Sequence, residues 1–295
     1  MSKFYRSMIF VLALGFVATG CGAPGQDIES NAQTIDSGTE GGFKPYVNPR
    51  LNSALDSIFE RGSDSNTRWS VEVLAFGPSG EKLSFYGRDV GMAVKPASTM
   101  KIMTSWTAFQ KFSSASEIGS EKFKYMREMM KYSDNDMAEN VLSWCGGTQA
   151  TYEMLNNFGI QKSSGLRIVD GSGLSYDNRL AAHDFVQVLT SIRASNKMRA
   201  FRALLPVGGV DGTLAGRLGN VNGTVAAKTG TLTTDPTTSL SGFADSRSGW
   251  QIVFSMLGDS VPSVDGGRNT IDAAVVEIIN TLNYLPEKAQ SVADQ

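Results

Sequence analysis

Hydrophobic positions along the chain change period several times, and the changes divide it into elements. Leu51, Leu55, Ile58 and Phe59 recur at helical spacing and predict a helix over 47–60. Val71, Val73 and Ala75 then alternate with polar neighbours, which predicts a strand over 69–76. Gly77-Pro78-Ser79-Gly80 reads as a turn and 82–87 as the returning strand. A helical middle follows over 98–112, 120–131, 136–145, 150–158 and 183–205, punctuated by glycine. Strands are expected again over 224–230, 239–244 and 251–257, and an amphipathic helix over 270–282. Helix and hairpin first, helices in the middle, strands and a helix last is an α+β plan. One antiparallel sheet built from both chain ends, packed against a helical cluster, satisfies it.

No repeat or second linker interrupts 46–286, so this stretch reads as one domain, with a loose tail over 287–295. The 295 residues are 41% hydrophobic and 19% charged, enough apolar material for a sizeable core. Lys plus Arg number 27 against 29 Asp plus Glu, a formal net charge of −2, so there is no basic excess to neutralise a nucleic acid. With two Cys and one His, a conventional zinc site cannot be assembled, and no cofactor is expected.

The first twenty residues have a different logic. Lys3 and Arg6 precede an uncharged run from Ser7 to Gly20 that is too short to cross a membrane. A charged start, a short apolar middle and small residues afterwards read as a signal peptide over 1–20. Val17-Ala18-Thr19-Gly20-Cys21 resembles a bacterial lipoprotein cleavage box, although Ala18 stands where that pattern prefers Leu. Cys21 would carry the lipid, and plain cleavage after Gly20 or Ala23 is the alternative. Residues 21–45 have the polar, small composition of a flexible tether. The expected location is therefore exported and periplasmic, with any membrane contact through Cys21. With Cys21 as the anchor, Cys145 is left without a partner for a disulfide, and it reads as buried packing near a helix end.

Three short motifs carry chemistry. Ser98 and Lys101 stand three apart at a helix start, which puts a hydroxyl beside an amine. A lysine removes a serine proton only when neutral, so its pKa must fall through burial or a nearby cation. Ser98 also has a helix-terminal N–H to offer an oxyanion. Ser133-Asp134-Asn135 precedes the helix over 136–145, where Ser133 reads either as a catalytic hydroxyl or as a simple helix N-cap. Lys228-Thr229-Gly230-Thr231 closes a strand whose edge could pair with an extended peptide. There, Gly230 would allow close approach of the substrate, and the lysine and two threonines suit a carboxylate.

Each motif also has a decoy or a bland reading. Ser79-Gly80-Glu81-Lys82 repeats the first motif inside a hairpin turn, and Tyr176-Asp177-Asn178 imitates the second. Asp170, Gly171 and Ser172 read equally as a site wall or a turn, and Asp211-Gly212-Thr213 reads as a turn. His183 could serve a Ser–His–Asp triad, but there is no Gly-x-Ser-x-Gly elbow, and helix-end packing is the plainer reading. The three motifs become specific through their order and their local structure.

Ser-x-x-Lys, Ser-x-Asn and Lys-Thr-Gly in this order resemble the penicillin-recognising serine enzymes. The segments KPASTMKIMTSWTAF, YSDNDMAENVL, VDGSGLSYDNRL, LPVGGVDGTLAGRL and AAKTGTLTTDPTTSLSGFA are similar, more narrowly, to the penicillin-binding protein 4 family of DD-carboxypeptidase/endopeptidases (peptidase family S13). The resemblance implies the serine β-lactamase/DD-peptidase fold and an exported serine DD-peptidase. Its partners would be peptidoglycan stem peptides and cross-links, with β-lactams as covalent inhibitors. It implies Ser98 as acylated nucleophile, Lys101 as general base, Ser133 as proton relay and Asn135 as the group holding the substrate amide and Lys101. Lys228, Thr229 and Thr231 would bind the terminal carboxylate, and the N–H groups of Ser98 and Thr231 would form the oxyanion hole.

Family members usually carry a long insertion between the first two motifs, whereas here only residues 102–132 separate Lys101 from Ser133. That implies a compact member with an exposed cleft. A serine β-lactamase of the same fold, a penicilloylated sensor that hardly turns over and a non-catalytic wall-binding lipoprotein are the competing functions. Glu153-Met154-Leu155-Asn156 is one residue short of the class A β-lactamase Glu-x-x-Leu-Asn motif, which weakens the first of these.

Overall fold

The alternating segments at the two ends of the chain meet in a single sheet. The structure, a computed structural model, describes residues 42–111, 119–160, 165–221 and 223–285. The stretches read as a signal peptide and a tail, Cys21 and most of the stretch read as a tether lie outside the described residues. Six strands, β1 (Lys44–Pro45), β2 (Arg68–Phe76), β3 (Lys82–Arg88), β4 (Gly223–Leu232), β5 (Thr237–Ser246) and β6 (Gln251–Asp259), form the order β1-β3-β2-β6-β5-β4. Every pairing is antiparallel except the short β1–β3 contact. This is the α+β architecture expected from the pattern. Strand β1 falls within the last residues read as tether. There Phe43 packs edge-on against Phe76 and Tyr46 stacks on Phe85, contacts that no local periodicity announces.

The period of two sorts β2 and β6 between two cores. Val71, Val73 and Ala75 of β2 and Ile252, Phe254 and Met256 of β6 face α1 (Pro49–Arg61) and α8 (Val264–Asn283). Leu74, Phe76, Val253 and Leu257 face the helical cluster on the other side. That cluster contains α2 (Met100–Gln110), α3 (Ser120–Tyr132), α4 (Asn135–Cys145), α5 (Thr148–Asn157), α6 (Ala182–Ala194) and α7 (Met198–Arg202). At its centre, α2 is buried from Met100 to Phe109. Ile102, Trp106 and Phe109 by their spacing share one face of α2, but burial extends all round it because α4, α5 and α6 all pack on α2. The hydroxyls this buries find acceptors: Thr104 donates to Gly171 O at 2.7 Å and Thr107 to Met103 O at 2.8 Å.

Two helix boundaries differ from the pattern. The helix expected over 183–205 is two helices, because Ser195 adopts an extended backbone and its hydroxyl takes the Ile192 carbonyl and the Lys197 N–H. Helix α8 starts at Val264, earlier than its apolar period, with the Ser263 hydroxyl accepting from Gly266 N at 3.0 Å. Its first turns contain Gly267, where a Cβ would lie 2.4 Å from Thr238 Cγ2, so this glycine lets α8 settle directly on β5. Cys145 is buried at the end of α4, and burial raises its thiol pKa, as suits packing rather than reactivity.

Candidate active site

The site is built from the turn that delivers Ser98. Lys95 is buried and ion-paired with Asp235 and, at 2.7 Å, with Asp259, which anchors the incoming chain to the sheet. The Pro96 carbonyl then accepts from Thr99 Oγ1 at 2.6 Å and from Ser239 Oγ of β5 at 2.7 Å. Ala97 is held at φ +49°, a strained value for a residue with a Cβ. A single 3-10 turn, Ala97–Thr99, runs into α2 and leaves Ser98 half-exposed at the helix start. Gly230 of β4 permits this docking: a Cβ there would lie 2.9 Å from Pro96 O, 2.9 Å from Ser98 N and 2.1 Å from Ser239 Oγ. Its missing side chain makes room for the serine turn, whereas the sequence alone pointed to room for substrate.

Lys101 lies one turn further on, without exposed surface. Its Nζ donates to Asn135 Oδ1 at 2.8 Å and to the Ser172 carbonyl at 2.7 Å, and stands 3.1 Å from Ser98 Oγ. Burial pulls its pKa down to about 8, against the opposing pull of the Asp170, Glu139 and Asp134 carboxylates. Glu139 of α4 accepts from the Gly171 and Ser172 N–H groups, and so holds the Ser172 carbonyl in place. Asp170 in turn accepts from Gly173 N and Ser175 N. The segment 170–172 is therefore a wall of the site.

Ser133 is not the N-cap of α4. Asp134 takes that role, accepting from Met137 N at 2.8 Å. Ser133 instead ends α3 in the left-handed region at φ +63°. Its Oγ accepts from Lys228 Nζ at 2.9 Å, while Asn135, the first residue of α4, faces Lys101. Lys228 also donates to Thr229 O at 2.8 Å and has no exposed surface. Burial, followed by the neighbouring charge of Lys101, drives its pKa well below the usual lysine value.

Strand β4 is a sheet edge, and its outer side has a readable parity. Val225 O accepts from Gly208 N, and Ala227 N donates to Pro206 O, so odd-numbered residues present their backbone groups outward. Thr231 N–H by the same alternation points outward beside Ser98. A cleft of about 370 Å³ opens there, lined by Ser98, Ser133, Thr213, Arg217, Thr229, Thr231 and Arg268. Thr213 and Thr229 share a hydrogen bond of 2.7 Å between their hydroxyls.

The first two motifs and the Lys-Thr-Gly strand thus converge from distant parts of the chain. The decoys do not. Ser79 and Glu81 close the β2–β3 turn, and Asn178 is buried behind the wall, bonded to Val169 N and Asp170. His183 lies away from the cleft, its Nδ1 3.0 Å from Glu72 Oε2. Sequence reasoning overlooked the Ser172 carbonyl and the Glu139, Arg217 and Arg268 side chains, and took Thr213 for part of a turn.

Fold and site together define the class: the architecture is that of the serine β-lactamases and DD-peptidases. A class A β-lactamase from Clostridium kluyveri superposes with a TM-score of 0.61 at 15% identity, over 80% of this chain and 99% of that one. Penicillin-binding protein 4 from Haemophilus influenzae, in complex with a β-lactam, gives 0.59 at 14% identity, over 78% and 99%. The model of the D-Ala-D-Ala carboxypeptidase 3 (S13) family matches residues 120–281, and the chain belongs to that family. The carboxypeptidase DacB of Mycolicibacterium smegmatis is 34% identical over 167 residues, 50% of this chain and 35% of that protein. This chain therefore spans about a third of the length of that curated relative. Ser133, Asn135 and Lys228–Thr231 lie inside the family match, and Ser98 and Lys101 lie just upstream of it.

Proposed function

We propose that the protein is an exported serine DD-peptidase that hydrolyses D-Ala-D-X bonds of peptidoglycan through an acyl-enzyme on Ser98. The observation that supports this best is the set of partners around Lys101. A neutral amine has two N–H groups and one lone pair. Asn135 Oδ1 and the Ser172 carbonyl are acceptors only, so they take the two N–H groups and the lone pair is left for the Ser98 proton.

In the proposed reaction Lys101 removes that proton as Ser98 Oγ attacks the scissile carbonyl. The developing oxyanion sits between the N–H groups of Ser98 and Thr231, in a position a helix start also favours. The Ser133 hydroxyl, held by Lys228, passes its proton to the departing amine of D-Ala and takes in return the proton that Lys101 removed from Ser98, and the C–N bond breaks. Water then hydrolyses the Ser98 ester. A β-lactam enters the same path by opening its ring on Ser98, with no leaving group to diffuse away. Thr229 and Thr231 present hydroxyls where the carboxylate of substrate or antibiotic would lie. The leader pattern supports export to the periplasm, with Cys21 as a lipid attachment point.

Mass spectrometry of purified muropeptides incubated with the protein tests this reading. Loss of D-Ala from pentapeptides or opening of cross-links is expected, together with penicillin adding to Ser98. Covalent penicillin labelling without cleavage of any muropeptide would favour a sensor, and rapid penicillin turnover alone a β-lactamase.

A further inference from the structure

The amine released on acylation of Ser98 departs on the Ser133 side of the cleft, where the edge of β4 offers little room. Its outward positions beyond Thr229 are already taken: Ala227 N donates to Pro206 O, and Val225 O accepts from Gly208 N. A chain that follows the edge from Thr231 past Thr229 meets the 206–208 segment and must turn off the sheet. Ser133 and Thr213, the latter hydrogen-bonded to Thr229, flank the place where it turns.

A second groove, of about 600 Å³, adjoins that place, with Lys124, Arg127, Lys131 and Tyr132 of α3 on one side and Asp211 and Gly212 on the other. Cleft and groove meet along consecutive residues: Ser133 and Thr213 line the cleft, Tyr132 and Gly212 the groove. Gly212 leaves the border between them bare, for φ there is +56° and a Cβ would lie 2.6 Å from Lys131 O. The cations of the groove are unequally engaged. Lys131 Nζ pairs with Asp211 at 2.6 Å and donates to Leu205 O, and Lys124 meets Glu121 at 3.1 Å. Arg127 is exposed and makes no ion pair or hydrogen bond among the described residues. Glu128 also lines the groove, but residues adjacent in sequence do not face each other on a helix.

We propose that this groove receives the second stem peptide of a cross-linked substrate, with Arg127 meeting the free carboxylate at the end of that peptide. The proposal rests on the DD-peptidase reading above and names what lies beyond the leaving amine. A single D-Ala fits within the catalytic cleft, whereas a peptide several residues long has to continue past Ser133. An unpaired guanidinium matches a carboxylate in both charge and shape.

The test is steady-state kinetics of wild type, Arg127→Gln and Arg127→Glu on three substrates. These are a purified cross-linked peptide dimer, the same dimer amidated at the C-terminus of its leaving-side peptide, and a monomeric pentapeptide. Arg127→Gln should lower kcat/KM on the dimer about threefold, chiefly through KM, the size expected for a solvent-exposed charge pair. Arg127→Glu, which sets a repelling charge there, should lower it about tenfold. Trimming of the pentapeptide and acylation by a β-lactam should be unchanged in both variants, and the amidated dimer should lose little. Equal losses on dimer and pentapeptide, equal losses on both dimers, or no loss on the dimer would overturn the assignment. Wild type that trims the pentapeptide and leaves the dimer intact would overturn it too, with the peptidase reading untouched. Wild type that cleaves no substrate would overturn that reading, and this one with it.

Discussion

At the scale of single residues, Lys101 determines how the site responds to pH. Below about pH 8 its amine is mostly protonated, and its lone pair is unavailable to Ser98. Acylation by a β-lactam should therefore rise with pH and level off above an apparent pKa of about 8, falling about tenfold per pH unit on the acid side. Stopped-flow measurement across pH 6–10 reads this directly. Glu139 opposes the downward pull of burial, so Glu139→Gln should move the limb to lower pH, and an unmoved limb would mean that Glu139 is not felt at Lys101. Ser98→Ala should abolish both penicillin labelling and hydrolysis. His183→Ala should retain most activity, since its imidazole is engaged with Glu72 and lies away from the cleft. Ser98 and Lys101 were legible in the sequence because helical spacing alone brings them together. The Ser172 carbonyl was not, because a backbone acceptor leaves no mark in residue type, and Arg268 looks like any charged residue on a helix face.

At the scale of elements, the site depends on how closely β4 meets the serine turn. Gly230→Ala would set a methyl group 2.9 Å from Ser98 N and closer still to Ser239 Oγ. Overpacking of this kind costs about 1–3 kcal/mol, and relief requires Ser98 or Ser239 to move. The variant should melt at lower temperature and acylate markedly more slowly, which calorimetry and β-lactam kinetics would record together. A normal acylation rate in a destabilised protein would show that Ser98 tolerates the shift. Strands β2 to β6 were all visible in advance, β2 because its apolar residues alternate with polar neighbours and the rest as short runs bounded by turns. The break between α6 and α7 was not, since Ser195, Asn196 and Lys197 are compatible with a helix until the Ser195 hydroxyl takes over the backbone groups. The N-cap reading of Ser133 failed for a similar reason. Asp134 competes for the same helix end, and only the left-handed backbone at Ser133 settles which residue caps.

At the scale of the whole molecule, the short interval between the first two motifs leaves room for an open cleft. A cross-linked substrate carries a second stem peptide on its leaving side, whereas a pentapeptide carries only D-Ala. Opening of cross-links should therefore be at least as fast as trimming of pentapeptides, when rates on purified dimers and monomers are compared. Brisk trimming with untouched dimers would refute it. The sheet order has another consequence, for the timing of assembly. Strand β2 finds its neighbour β6 across the length of the domain, with Arg68 opposite Asp259. Among the described residues, β6 is the strand that joins β2 to the pair β4–β5 in the sheet. Closing so long a loop is slow relative to forming local helices. Ser98 leaves the N-terminal hairpin and Lys228 stands on the far edge strand, so the serine turn should dock firmly on β4 only once β6 joins β2 to β5. A nascent chain that has not yet released residue 259 has every motif but no cleft, and a β-lactam should label it no faster than an ordinary serine.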